Sequence, residues 1–427
     1  MNDKILNDKS TWDWQTPEKQ IPVKEWEDEF NWVQEPCASP DGESIAAIVN
    51  VDDAEFSVCK NGETWEETFE KAWALKFGPD GRLAALTASD EEWTVCVDGE
   101  CWEGRFDYAW DLKFSPDGSF ISAAIQQDSE YGMSVNDTTW ETLYKNISGT
   151  LLGPLGNSAA VVQVDHMDQA DIEAFAAGLF CVAVNGELQS ERYVNIESIC
   201  FDSTEEKTAF SIRRSRLDYS IATNSGPWKS NFQFAWEPCF INHGASIIAP
   251  VRQNGKWHLF KDDSDFWNRP FEQLWKPTVH DSTGKIAAVV SETFGRWGIC
   301  ENNTLLNFQC NTMISELFYS DNAELLIALF KDNDLWDLAV IRNGNVTPWG
   351  LKADKLWAPV ISADTKIAAT RMEKNNRYYL VVNGKVYQND FDMMFEPAIS
   401  PGSDKILLKA IKNGIYYRQT LSLDKVL

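Results

Sequence analysis

An all-β fold of ten four-stranded units is what this sequence predicts, on three observations: a period near 39 residues, a recurring Pro-Asp-Gly turn and a recurring Asn-Gly turn. The first turn stands at Ser39-Pro40-Asp41-Gly42, Gly78-Pro79-Asp80-Gly81 and Ser115-Pro116-Asp117-Gly118, each followed by a short apolar run. Anchored on the Pro slot, the pattern continues through Pro154, Ser203, Asn242, Asp281, Ser320, Ala363 and Pro401. The successive gaps are 39, 37, 38, 49, 39, 39, 39, 43 and 38 residues.

Each unit reads as four strands. The first, such as Ala109 to Phe114, enters the Pro-Asp-Gly turn, and the second is an apolar run rich in β-branched residues, such as Ile45 to Val49. A polar loop leads to the third, such as Trp93 to Val97. Asn61-Gly62, Asp98-Gly99, Asn185-Gly186, Asn343-Gly344 and Asn383-Gly384 then supply the two positive-φ residues of a tight hairpin. The fourth strand carries Trp65, Trp102, Trp140, Trp228 or Trp267, with Phe69, Phe106, Tyr144, Phe232 or Phe271 four residues on. Repeated four-stranded antiparallel units of this length are the blades of a β-propeller.

The tenth repeat supplies only three strands. Trp26 and Phe30 repeat the Trp-x3-Phe spacing, so a strand near the N-terminus is expected to complete the last blade and cover an open sheet edge. Residues 1–25 then form an extension and 26–427 the propeller. One closed ring of ten blades is preferred. Two five-bladed propellers are the alternative, prompted by Glu35-Pro36-Cys37 and its echo Glu237-Pro238-Cys239. Repeat four carries an insertion, Asp165 to Gly178, in which Asp168 caps a short helix ending at Gly178, with Ile172 and Phe175 on one face.

Charge narrows the function. With 38 basic and 65 acidic residues the net charge is −27, which disfavours nucleic acid and anionic membrane surfaces. The longest nearly apolar run, Ala174 to Val184, is well short of the ~18–20 residues that span a bilayer, so no direct membrane insertion is expected. The opening MNDKILNDKS lacks the apolar core of a secretory signal, which points to a cytoplasmic location and reduced thiols. Of nine cysteines, Cys59, Cys96 and Cys300 share a slot with Ala183 and Val381 and read as small core residues. Cys96 and Cys101 lack the second pair or the His of a zinc site.

No motif for catalysis or a cofactor emerges. The four histidines show no H-x3-H spacing, and there is no G-x-S-x-G, haem, iron–sulfur or P-loop motif. Asp262-Asp263-Ser264-Asp265 falls on a repeat turn and lacks the EF-hand pattern. The basic run Arg213-Arg214-Ser215-Arg216 reads as a solvated hairpin. Neither an enzyme nor a metal or other cofactor is expected. The 19 Trp are the notable feature. Trp73, Trp110, Trp236, Trp275, Trp357 and Phe395 share a slot six residues before the Pro slot. Blade-to-blade packing is one reading of them, and a partner-binding rim of aromatics is the other, to which Ile172 and Phe175 would add.

The Pro-x-x-Ser-Pro-Asp-Gly run from Pro36 to Gly42 resembles the WD40-like propeller repeats of bacterial proteins. Tryptophan enrichment, acidity, these repeats and Trp12-Asp13-Trp14 together resemble the tryptophan-rich cytoplasmic subunit of the Tmc transmembrane redox complex of sulfate-reducing bacteria. That resemblance implies a non-catalytic scaffold, peripheral to the inner membrane, docked to cytochrome and iron–sulfur subunits. The rival is a stand-alone enzyme, or a propeller that binds a glycan or small molecule in its channel.

Overall fold

The computed structural model describes residues 8–165 and 172–426. They form ten antiparallel sheets, each built on four strands, in chain order except in the last blade, whose fourth strand comes from near the N-terminus. In blades six, nine and ten the first strand is broken into two pieces, such as Met393–Met394 and Ala398–Ile399. In blades one, two, three, four and seven the first strand is continuous, and there the residue after the predicted aromatic slot takes a positive φ, at Glu35, Ala74, Asp111, Gly149 and Lys276, with a shift of strand register beside it.

Both predicted turns form. In blade one Gly42 has a φ of +72°, the Ser39 hydroxyl donates to Asp41 Oδ1 at 2.6 Å, and the same oxygen accepts the Glu43 N–H at 3.1 Å. In the eighth repeat Ser320 plays the part of Ser39, bonded to Asn322 at 2.9 Å, so the Pro slot falls one residue later than the spacing suggests. The Asn-Gly turns do more than reverse the chain. Asn61 Oδ1 accepts the N–H of Ile45 at 2.9 Å, and Asp98, Asn136, Asn185, Asp262, Asn302 and Asn383 bond the start of their own blade's second strand in the same way. The Trp-x3-aromatic spacing produces edge-to-face pairs, with Trp65–Phe69, Trp140–Tyr144 and Trp267–Phe271 centroids 6.3–6.5 Å apart.

The chain divides into two compact units. One comprises Met1–Asp128, Ser134–Thr139 and Trp349–Leu427; the other comprises Ser129–Met133 and Trp140–Pro348. In the first unit the last blade packs on the first. Lys409 Nζ donates to the Ser39 and Pro40 carbonyls at 3.1 and 3.0 Å, and the Tyr416 hydroxyl donates to the Gly42 carbonyl at 2.9 Å. In the second unit Lys207 of blade five donates to the Gly244 carbonyl of blade six at 3.0 Å. Lys285 of blade seven reaches the Ala323 carbonyl of blade eight at 2.6 Å. Two sequential five-bladed rings would instead seat repeat five against one and ten against six.

A strand near the N-terminus completes the last blade, as expected, but not the segment expected to do so. Glu18–Ile21 runs antiparallel to Ile415–Ser422, from Glu18 opposite Gln419 to Ile21 opposite Tyr416. Trp26 lies instead in a short helix, Lys24–Glu29, with Phe30 as its C-terminal cap. A four-residue spacing puts two rings on one side of a helical turn, and both are buried against Ile45, Cys59 and Tyr416. The segment before this strand wraps Arg418, which is 1% exposed. Its guanidinium donates to the carbonyls of Asp41 at 3.2 Å and Thr16 at 3.4 Å, and to that of Asp13, and it pairs with Glu43 at 3.0 Å.

The expectation for one cysteine pair is corrected. Cys96 and Cys101 stand directly opposite each other across the Asp98-Gly99 hairpin and are disulfide-bonded, rather than reduced core residues. Hairpin register, not a metal-site pattern, brings them together. The other seven are free. Burial pushes the thiols of Cys37, Cys200, Cys239, Cys300 and Cys310 up to about 12 and that of Cys59 to about 11. In the repeat-four insertion the helix is Ile172–Ala177 and ends at Gly178, which has a φ of +94°. Asp168 lies outside the described residues.

Four outcomes follow from these contacts. Unfolded protein should titrate seven thiols without reductant and nine with it, as read by a chromogenic thiol reagent. The native thiols are held neutral while unfolded ones ionise near pH 9, so stability should fall as pH rises from about 9 towards 12, measured as denaturant midpoint against pH. Removing residues 1–23 should destabilise the first unit by about 3–5 kcal/mol, because it strips acceptors from a buried guanidinium and bares a strand edge; an unchanged denaturant midpoint would contradict that role. Asn302→Ala should cost roughly 1–3 kcal/mol by leaving the buried Ile286 N–H without its side-chain acceptor.

Candidate functional site

Of the predicted slot aromatics, Trp73, Trp110 and Trp275 sit on the first strand of their blades just before the bulge, whereas Trp236, Trp357 and Phe395 lie in the gap between the two pieces of a broken first strand. They are chiefly paired within their own blades, with an aromatic of the third strand. Trp73 stacks on Trp93 at 4.3 Å, Trp236 on Trp257 at 5.7 Å and Trp275 on Trp297 at 4.4 Å. Trp357 meets Tyr378 at 5.8 Å, and Phe395 meets Tyr416 at 6.1 Å. First and third strands flank the second, so same-face rings at matched register bridge over it. The Nε1 of Trp275 is buried without a hydrogen-bond partner.

Blades two and three extend this pairing into a run. Tyr108 lies 5.8 Å from Trp73, 5.5 Å from Trp93 and 5.8 Å from Trp110, so it joins the other three rings into one run. Tyr108 occupies the position two residues before the predicted slot, on the same face of the strand. Trp32 holds that position in blade one, 64% exposed and 6.3 Å from Phe56. Neither residue was singled out by the slot, although the two-residue strand period points to both. In the second unit Trp236 is 37% exposed. Phe175, on the insertion helix, is also exposed. The helix, which belongs to the second unit, carries Ile172 as well.

A second feature of the first unit has no counterpart in the sequence reading. A cavity of about 810 Å³ opens where the inner strands of blades nine, ten, one and two meet the N-terminal extension. Four cations line it, Lys9, Lys76, Arg371 and Lys409, against one carboxylate, Glu396. The hydrogen bonds of Lys76, Arg371 and Lys409 go to main-chain carbonyls, those of Leu112, Met394, Ser39 and Pro40. Among the described residues none of the three is ion-paired with a carboxylate. Burial holds the Lys409 ammonium down to about 8 and lowers Lys76 and Arg371 as well. Arg371 lies over the Trp357 ring, 4.5 Å from its centroid. These cations are distant in sequence, and only the blade packing gathers them.

The remaining polar motifs are used structurally. Asp262 and Asp263 take positive φ in a repeat turn, and Asp263 Oδ2 accepts the Lys229 N–H at 3.0 Å. His258 is bonded to Asp265 at 2.8 Å, and Arg214 of the basic run pairs with Asp218 at 2.9 Å.

No family model matches the chain, and no curated protein matches it. Among solved structures, a crystal structure of the eukaryotic initiation factor matches at 13% identity and a TM-score of 0.46, covering 90% of each chain. The structure of the Dos1 propeller matches at 9% identity and a TM-score of 0.35, covering 96% of each. TolB from Acinetobacter baumannii matches at 13% identity and a TM-score of 0.30, over 58% of this chain and 61% of its own. At such scores none of them bears on what this chain does.

Proposed function

We propose that the protein is a non-catalytic scaffold for protein–protein interaction, and that it serves as an accessory subunit of a membrane-associated electron-transfer complex. The observation that carries the scaffold reading is the run Trp73–Trp93–Tyr108–Trp110, which includes a partly exposed Tyr108, with Trp32 exposed on blade one. Tyr and Trp dominate interface energetics because a large ring loses much water on contact yet costs little side-chain entropy. Buried members of the run hold the exposed ones in place, so the surface is rigid before any partner arrives. The redox partners come from the resemblance in tryptophan content and repeats. A subunit without catalytic or cofactor motifs of its own fits a role beside partners that carry the electrons. No helix in the described residues is long and apolar enough to cross a membrane, so attachment would run through a partner.

The test separates the two roles of the aromatics. With purified cytochrome and iron–sulfur subunits of such a complex as ligands, Trp32→Ala and Tyr108→Ala should each weaken binding by about 2 kcal/mol in calorimetry while leaving the unfolding midpoint nearly unchanged. Trp93→Ala should cost about 3–5 kcal/mol of stability instead. Redox subunits that fail to bind the unaltered protein would retire the electron-transfer assignment. Unchanged affinity in both exposed variants would retire this surface.

A further inference from the structure

We propose that the cationic cavity of the first unit binds a small organic anion, an oxyanion group joined to a flat ring. Three facts converge on that chemistry. The first is charge: four cations face one carboxylate, inside a chain whose net charge is −27. Acidic side chains are abundant, yet Lys76, Arg371 and Lys409 take carbonyl oxygens as hydrogen-bond partners, and the carboxylates that act on them, Glu396, Asp41 and Asp111, do so from beyond ion-pair distance. Burying such charges without a counter-charge is costly, and an anion seated among them would supply it.

The second fact is donor capacity. The Lys409 ammonium has three N–H donors and spends two, on Ser39 and Pro40. Arg371 has five and donates one of them, through Nη1, to the Met394 carbonyl. The remaining donors suit a phosphate or carboxylate, whose oxygens accept charge-assisted bonds in the geometry a guanidinium fork presents.

The third is the wall. Trp357 already carries Arg371 on its face, and Trp12, Phe77 and Phe395 add further rings. A flat ring attached to the anion would be matched by these, as in most small-molecule sites, where apolar walls hold the body and a few polar groups orient it. The volume of about 810 Å³ lies inside the usual range for such ligands. This site stands apart from the exposed Trp32 and Tyr108 of the scaffold reading and does not depend on it.

The test uses the full chain and reads quenching of Trp fluorescence, with four probes: AMP, benzoate, adenosine and inorganic phosphate. AMP or benzoate should saturate below about 1 mM, and at least tenfold more tightly than adenosine or phosphate. Saturation by AMP alone identifies a phosphate headgroup, and saturation by benzoate alone a carboxylate; both support the site. Arg371→Met and Lys76→Met should each weaken that binding about tenfold, with circular dichroism confirming the fold. Lys409 is left intact because it also holds blade ten to blade one. Adenosine binding as tightly as AMP would overturn the role of the cations, and phosphate binding as tightly as AMP the role of the ring. Absence of saturable quenching by AMP and by benzoate would overturn the site itself.

Discussion

Neighbouring blades are tied by one recurring contact: a cationic side chain of one blade reaching a main-chain carbonyl of the next. Arg82 reaches the Gly118 carbonyl, Lys207 that of Gly244, Lys285 that of Ala323, and Lys409 those of Ser39 and Pro40. The acceptors lie in or beside the turn between first and second strands, where carbonyls lack a ladder partner. A hydrogen bond to a charged donor contributes about 1.5–3 kcal/mol, while desolvating the charge costs several kcal/mol, so the net gain is small. The larger effect is on geometry. At Lys409, which is buried, a blade displaced sideways would leave a cation with nothing to accept from it, and that penalty holds blades ten and one in register; at the more exposed Arg82, Lys207 and Lys285 the contact is a directional tie.

The junction between blades ten and one concentrates this principle. Arg418 and Lys409 are both buried there, and the extension before Glu18 closes over the guanidinium. The same concentration of charge leaves Lys409 facing the cavity. Two different surfaces therefore occupy the first unit: an aromatic one on blades one to three, and a cationic one inside the junction. Aromatic stacking serves the first and unspent donors serve the second.

Much of the architecture was legible because it is written locally. Pro-Asp-Gly, Asn-Gly and Trp-x3-aromatic spacings each act within about 20 residues, and they account for the ten blades, their turns and the edge-to-face pairs. The closing strand was legible only in part. The need for a fourth strand followed from the count, but Trp26 and Phe30 have a spacing that suits a helical turn as well as a strand slot. The Cys96–Cys101 bond depended on hairpin register, which a slot shared with Ala and Val obscures. The aromatic slot was legible and its neighbours Trp32 and Tyr108 were not, because attention to one position hides its same-face companion. The cavity could not be read at all. Lys9, Lys76, Arg371 and Lys409 belong to the extension and to three different repeats, and no sequence pattern links them.

The pairing of Glu18–Ile21 with the last full strand also sets the order of events as the chain folds. Gln419 bonds a residue 401 positions away in the chain, so this contact has almost the largest loop to close. Blades one to nine can assemble from local hairpins while synthesis proceeds at ~5–20 residues per second. The opening segment must wait for the final strand, for tens of seconds at that rate, with its apolar Trp14 and Trp26 unburied. That interval exposes the chain to aggregation and to holdase chaperones, and it makes closure the late and slow step of a fold that is otherwise built from short-range contacts.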